Sequence, residues 1–395
     1  MNTRLLAVTM TALATTMSLG CGGTPHGAGK PADFSFVDST DGHAVGPRAP
    51  QVRWTFELTR HFEGRYVPVE SAGAAIDPGA GIIYVGSSRG TLWALGPDGK
   101  QLYEYKAGNG IDAPPTLDAK RGELYIATST GELHAIDANS GEKRYVVPVG
   151  GPVSAPMLLT EDALYLVTDG DSVLALSREK GEVLWRYRRD PVDGLGIAGR
   201  AGLLMQDGFV VTGFGDGAIV SLDQTDGRVH WEIDTSLDLP DADDEGTFTD
   251  ADATPVQVGD TVYAAAFAAG VYAINARTGT LEKRFAQLTG VTGIAADDHS
   301  LLLSSSDLGV VCLDLVGHAE RWRRAPGQGA PAAARLVDGA AYIAETRGPL
   351  LALALADGSE VGRLESSHGF TSPPTLESGQ GAILSNAGLL YAFSY

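Results

Sequence analysis

One short block returns eight times along this chain at a near-fixed period, and a pattern of that kind is how radial repeat folds are written. The copies are GTLWAL from Gly90, GELHAI from Gly131, DSVLAL from Asp171, GAIVSL from Gly217, AGVYAI from Ala269, LGVVCL from Leu308, GPLLAL from Gly348 and GLLYAF from Gly388. The fifth position of each copy is nearly always small: Ala94, Ala135, Ala175, Ser221, Ala273, Cys312, Ala352 and Ala392, at intervals of 41, 40, 46, 52, 39, 40 and 40 residues. Ten residues before the small residue stands Tyr84, Tyr125, Tyr165, Val211, Tyr263, Leu302, Tyr342 or Ala382, usually inside an apolar run such as IIYVG or ELYIA. A constant offset between two apolar runs predicts two strands joined by a loop of fixed length.

Each unit reads as four strands. An apolar stretch such as APMLL precedes the Tyr-bearing run, the GxLxAL run follows, and a turn of the NSG, EKG, TDG or RTG kind leads into a last strand. That strand often carries an aromatic ten residues beyond the small residue, as at Tyr145, Trp185, Trp231 and Trp322. A large ring at a fixed place suggests a wedge between adjacent sheets, with the small residue allowing close approach where sheets converge. The eighth copy is followed only by Ser394 and Tyr395, and the strand it lacks stands near the other end: Val52, Trp54, Phe56 and Leu58 alternate with Arg53, Thr55 and Glu57. The expectation is an all-β chain: residues 51–395 form one eight-bladed β-propeller of four-stranded antiparallel blades, and the N-terminal strand 52–58 closes the ring.

Ahead of the repeats, Arg4 and an apolar stretch to Leu19 read as a secretory signal, residues 1–20. Cys21 after Ser18, Leu19 and Gly20 resembles the lipidated cysteine of bacterial lipoproteins; the alternative is an ordinary cleaved signal with an incidental cysteine. Gly22 at the next position favours the outer membrane by the same resemblance. Residues 21–50, rich in Gly, Pro and Ala, read as a flexible tether. The only other cysteine, Cys312, falls in a strand and reads as a small apolar residue. A net charge of −20 argues against nucleic acid or anionic lipid as the main partner. Between Arg228 and Arg277 no Lys or Arg occurs, while nine acids from Asp234 to Asp260 do.

The lines AIDANSGEKRY from Ala135, SLDQTDGRVHW from Ser221 and CLDLVGHAERW from Cys312 resemble the repeats of the PQQ-type quinoprotein propellers. Within that group the chain resembles the BamB family, lipoproteins of the outer-membrane β-barrel assembly machine, and the resemblance includes LGIAGR from Leu195 and DADATP from Asp250. It implies a non-enzymatic scaffold at the periplasmic face of the outer membrane that binds the POTRA domains of a BamA-type protein, with unfolded outer-membrane proteins as a second class of partner. The family's partner-contacting residues map onto Leu195, Ile197, Asp250 and Asp252. Where the family has an arginine directly after the second aliphatic residue this chain has Ala198, and Arg200 lies two residues on. The two long intervals place both segments in connections on one side of the ring, so they are expected to share a surface.

Two rival chemistries and one rival partner remain open at this level. Related propellers that oxidise alcohols use a vicinal disulfide over the quinone, which two cysteines at 21 and 312 do not provide, so no cofactor is expected. The spacing DADDEGTFTDAD puts Asp241, Asp243, Glu245, Thr247 and Asp252 at EF-hand-type ligand positions, against the plainer reading of a solvated acidic loop. A propeller serving a different envelope partner would share the fold and the compartment.

Overall fold

The constant ten-residue offset is a hairpin register. In the computed structural model, which describes residues 42–58, 69–190, 200–239 and 248–395, each Tyr-position residue lies directly opposite the small residue of the next strand. Tyr84 faces Ala94, Tyr125 faces Ala135, Tyr165 faces Ala175 and Leu302 faces Cys312. The row continues into the outer strand, where Ala175 pairs with Trp185, Ser221 with Trp231 and Cys312 with Trp322. The small residue therefore sits between two rings on one face: across Ala175, Tyr165 and Trp185 have centroids 5.9 Å apart. Cys312 occupies this slot fully buried, as a small apolar residue would.

Eight such antiparallel sheets form the propeller, spanning 74–106, 116–148, 158–188, 204–234, 256–285, 291–324, 335–364 and 375–394, here blades 1 to 8. The described residues hold no α-helix and one short 3-10 turn, Thr235–Asp238. Hydrophobic clusters lie between blades: Tyr165 and Trp185 of blade 3 pack with Phe214 and Val220 of blade 4, for example. The core is thus a ring of interfaces, each built from the inward-alternating residues of two neighbouring sheets.

Blade 8 takes its outer strand from the N-terminal side. Gln51–Glu57 pairs with Leu389–Ser394, and Trp54 lies opposite Ala392. Val52, Trp54 and Phe56 are half-buried while Arg53, Thr55 and Glu57 are exposed, the period-2 pattern of a strand covered on one face.

The aromatic wedge has a more specific partner than the sequence indicates. Each ring rests on the turn glycine of the following blade. A Cβ placed on Gly227 would lie 2.5 Å from Trp185, and one on Gly141 2.5 Å from Tyr103. The indole N–H then donates to a turn carbonyl: Trp185 to Gln224 at 2.8 Å, Trp231 to Ala276 at 2.9 Å, Trp322 to Leu355 at 2.9 Å and Trp54 to Pro97 at 2.9 Å. A buried indole needs a hydrogen-bond acceptor, and a positive-φ glycine is the residue that lets backbone lie flat against the ring. Between blades 5 and 6, where Lys283 holds the ring position, His318 takes the left-handed turn place at φ 54° and packs on Phe285 at 5.3 Å.

One expectation needs correction. The tether reading runs from 21 to 50, yet Ala44–Val45 pairs antiparallel with Leu364 and Arg363 and makes blade 7 five-stranded. The physical reason is the outer edge of that blade, whose unpaired backbone groups Gly42, His43 and Arg48 also engage: Gly42 N donates to Glu365 O, Glu365 N to His43 O and Arg48 N to Val361 O, all at 3.0 Å. Gly46, at φ 103°, brings the strap so close that a Cβ would lie 2.6 Å from Val361 O.

Candidate functional site

The long connections run from the outer strand of one blade to the inner strand of the next, from Arg188 to Leu204 and from Asp234 to Val256. They emerge on the side of the ring opposite the turns that bear the docking glycines. Of the residues singled out in the sequence, Leu195 and Ile197 lie outside the described residues, as do Asp241, Asp243, Glu245 and Thr247. Arg200, Asp250 and Asp252 are described, and the fold brings them together.

The base of the second insertion is tied both to the first insertion and to a hairpin loop of blade 4. Gly202 N donates to Thr254 Oγ1 at 2.8 Å, and Thr249 Oγ1 donates to Gly215 O at 3.0 Å. Arg200 Nε lies 3.1 Å from Asp171 Oδ1, and its Nη1 lies 4.0 Å from Asp250 Oδ1 and 3.9 Å from Asp252 Oδ1. One guanidinium therefore serves three carboxylates from blade 3 and from the connection before blade 5. The expected adjacency of Leu195 and Ile197 to Asp250 and Asp252 falls outside the described residues; what the structure places together is Arg200 with the two acids.

The solvated-loop reading does not hold for Asp250 and Asp252. Asp250 is 2% exposed and the Asp252 side chain 9%. The alternation in DADATP explains this: Ala251 packs into the interface between blades 4 and 5, and Ala253 into the interface between blades 5 and 6. That packing carries the intervening acids inward, where Arg200 offsets part of their charge. Both Asp252 carboxylate oxygens are buried with no hydrogen-bond partner among the described residues. Burial, then the neighbouring Asp250 charge, pushes its pKa up to about 7, with Arg200 opposing and Asp171 and Asp169 adding to the rise.

Further carboxylates lie on the same side. Asp169 accepts from Ser154 Oγ at 2.7 Å, and Asp112 is raised by burial and by Asp169. Glu70, 1% exposed, accepts from Ser88 N at 2.7 Å and Ser88 Oγ at 2.9 Å, and burial raises it too. An excess of carboxylate over guanidinium makes this face suited to receiving a positively charged group. No cluster of three or more His, Cys, Asp or Glu among the described residues has the arrangement of a metal site.

Sequence reasoning missed Asp171, and the signal was present. It stands at the block position held by Gly90, Gly131 and Gly217, at φ 55°, and turns its carboxylate to Arg200 and to Gly215 N at 3.3 Å. Arg189, just ahead of the first insertion in sequence, was missed as well; it pairs with Asp216 at 2.6 Å and Glu232 at 2.9 Å.

Residues 118–324, which contain both insertions, match the family described as outer membrane protein assembly factor BamB. The chain belongs to this family. Among BamB relatives, the assembly factor of Shewanella oneidensis is 26% identical over 196 residues, 48% of this chain and 49% of that protein. The Bordetella pertussis assembly factor is 23% identical over 341 residues, 83% of this chain and 86% of that protein. The match to the first of these thus spans about half of the relative's length. The crystal structure of BamB from Moraxella catarrhalis superposes with a TM-score of 0.73 at 21% identity, covering 87% of this chain and 99% of that one, which shows a shared fold.

Proposed function

We propose that this protein is a non-catalytic scaffold of outer-membrane β-barrel assembly. Lipid on Cys21 would hold it at the periplasmic face of the outer membrane, and the POTRA domains of a BamA-type protein would dock on the face that carries the two insertions. The observation that carries the reading is the family match across 118–324, which includes both insertions; the relatives in that family are named outer membrane protein assembly factors. The buried cluster supports it by giving the insertions a fixed base. Arg200 ties the end of the first to Asp250 and Asp252 in the second, so the Leu195 and Ile197 segment starts from a defined anchor. In this reading Asp250 and Asp252 act by holding the loops and by setting a negative potential, while Leu195 and Ile197 supply apolar contact worth roughly 1.5–3 kcal/mol each when fully covered.

Capture from solubilised envelopes tests the proposal. The native chain is expected to recover a BamA-type barrel protein, and Leu195→Asp with Ile197→Glu to weaken that capture by on the order of a hundredfold at an unchanged melting temperature. Recovery of a different partner only, or undiminished capture by the double variant, overturns it. Mass spectrometry of the mature N-terminus checks the anchor: an acylated Cys21 is expected, and a free amine there excludes it.

A further inference from the structure

The boundary between blades 7 and 8 is built unlike the others. Everywhere else the following blade lays a turn, joining its third and fourth strands, over the tyrosine and aromatic rows of the blade before it. Tyr84 OH of blade 1 donates to Ala138 O of the blade 2 turn at 3.1 Å, and Tyr165 OH of blade 3 to Gln224 O of the blade 4 turn at 3.2 Å. No turn joins Leu389–Ser394 to Gln51–Glu57, because blade 8 draws its outer strand from the N-terminal side. The strap covers part of the space: Gly362, which holds the ring position of blade 7, meets the backbone of Arg48 and Ala49. Tyr342 OH reaches Arg48 O at 3.4 Å, longer than its counterparts.

What remains is a pocket of about 320 Å³ lined by Arg48, Gln51, Asp338, Tyr342, Ser394 and Tyr395, among others. Gln51 and Ser394 are paired across the sheet, so they mark the two points between which a turn would stand. The Tyr342 and Tyr395 rings, 5.7 Å apart at 59°, form its apolar side. Arg48 sits at the rim, exposed, with one guanidinium N–H given to Asp338 O at 2.7 Å. The volume is at the lower end of the range for ligand pockets, roughly 300–1,000 Å³, and suits the tip of a turn.

We propose that this pocket is a docking slot for a peptide turn of the Asp-x-x-x-Gly class presented by a partner protein. The molecule itself shows what fits such a position. In blade 2 the Asp137 carboxylate accepts from Asn139 N at 3.1 Å and Ser140 N at 3.0 Å, which shapes the turn and presents Ala138 O to Tyr84 and Tyr103. Blades 4 and 5 repeat the device with Asp223 and Asn275. The Tyr342 hydroxyl is already given to Arg48 O, so an incoming turn would lay its small residues against the two rings and meet Arg48 at the rim. The remaining Arg48 donors favour aspartate at its first position. The slot lies on the side of the ring opposite the two insertions, so both faces can be engaged at once.

The probe is a disulfide-cyclised peptide carrying the blade 2 turn sequence Asp-Ala-Asn-Ser-Gly, titrated into the full chain by calorimetry. Saturable binding of one peptide per chain is expected, weakened about tenfold or more by Gln51→Trp, which fills the slot from an exposed strand position. Arg48→Gln, which removes the rim cation that would meet the leading aspartate, should weaken it about fivefold. Melting curves of both variants identify any loss that comes from unfolding. Absence of binding to the native chain, or equal binding by native protein and both folded variants, overturns the proposal.

Discussion

Asp252 concentrates the energetic tension of the insertion face. Its oxygens are buried, Asp250 and Asp171 stand nearby, and one arginine offsets all three. A carboxyl whose pKa rises from the ordinary 3.8 to about 7 binds a proton more tightly in the fold than in the unfolded chain. Its contribution to stability therefore declines as pH climbs from about 4 to about 7 and stays at its lowest above that. Replacing it with the neutral Asp252→Asn should raise stability at pH 8 by about 1–3 kcal/mol, less than the full proton-linkage value because the amide is also buried. Denaturant unfolding at pH 5 and pH 8 checks this. The gain should be small at pH 5, and an equal or reversed effect at the two pH values would show that the burial of Asp252 has no such cost. Asp171 carries a related lesson: a residue in a glycine position, at positive φ, is held there by the ion pair and backbone contact it makes.

The element that repeats is a ring on a turn. Six boundaries place Trp or Tyr against the glycine of the next blade, so the four-stranded sheet is only part of the repeating unit and the contact to its neighbour completes it. Two glycines separate backbone strain from the docking contact. Gly259 has φ +57° with nothing near its missing Cβ, whereas Gly227 has φ +72° and the Trp185 ring at 2.5 Å. Gly259→Ala should cost about 1 kcal/mol for the left-handed backbone alone. Gly227→Ala should cost about 3 kcal/mol or more, since the ring must also move. Equal losses in parallel unfolding measurements would mean that the ring and turn are not tightly docked. The wedge was legible from the spacing of Tyr145, Trp185, Trp231 and Trp322, but its partner was not. Nothing local to a strand says which glycine of the following blade it will meet.

At the scale of the molecule, closure is doubled. Gln51–Glu57 completes blade 8, and Ala44–Val45 then straps the outer edge of blade 7, so one continuous segment spans the last boundary. Three truncations sort these contributions. A chain starting at Pro50 should melt below one starting at Gly42, because Gly362 and Tyr342 lose the cover of residues 46–49. A chain starting at Ser71 should melt far lower again, having lost Trp54 and the pairing with Leu389–Ser394. Identical melting of the first two would remove the strap from the closure, and identical melting of all three would remove both.

The repeat by itself determined the number of blades, the register of their central hairpins and the strand that closes them, because each follows from a spacing of a few tens of residues that any fold of this chain must satisfy. The alternation in 52–58 was enough to identify a strand needing a partner, and the truncated eighth copy was enough to say which. Tertiary structure alone decided that Asp250 and Asp252 turn inward to Arg200, that residues 44–45 leave the tether to pair with blade 7, and that a pocket stands between Gln51 and Ser394. These depend on which distant groups become neighbours when the ring closes. Burial and pairing of charge are properties of that neighbourhood, and an acidic run has the same composition whether it faces water or a buried arginine.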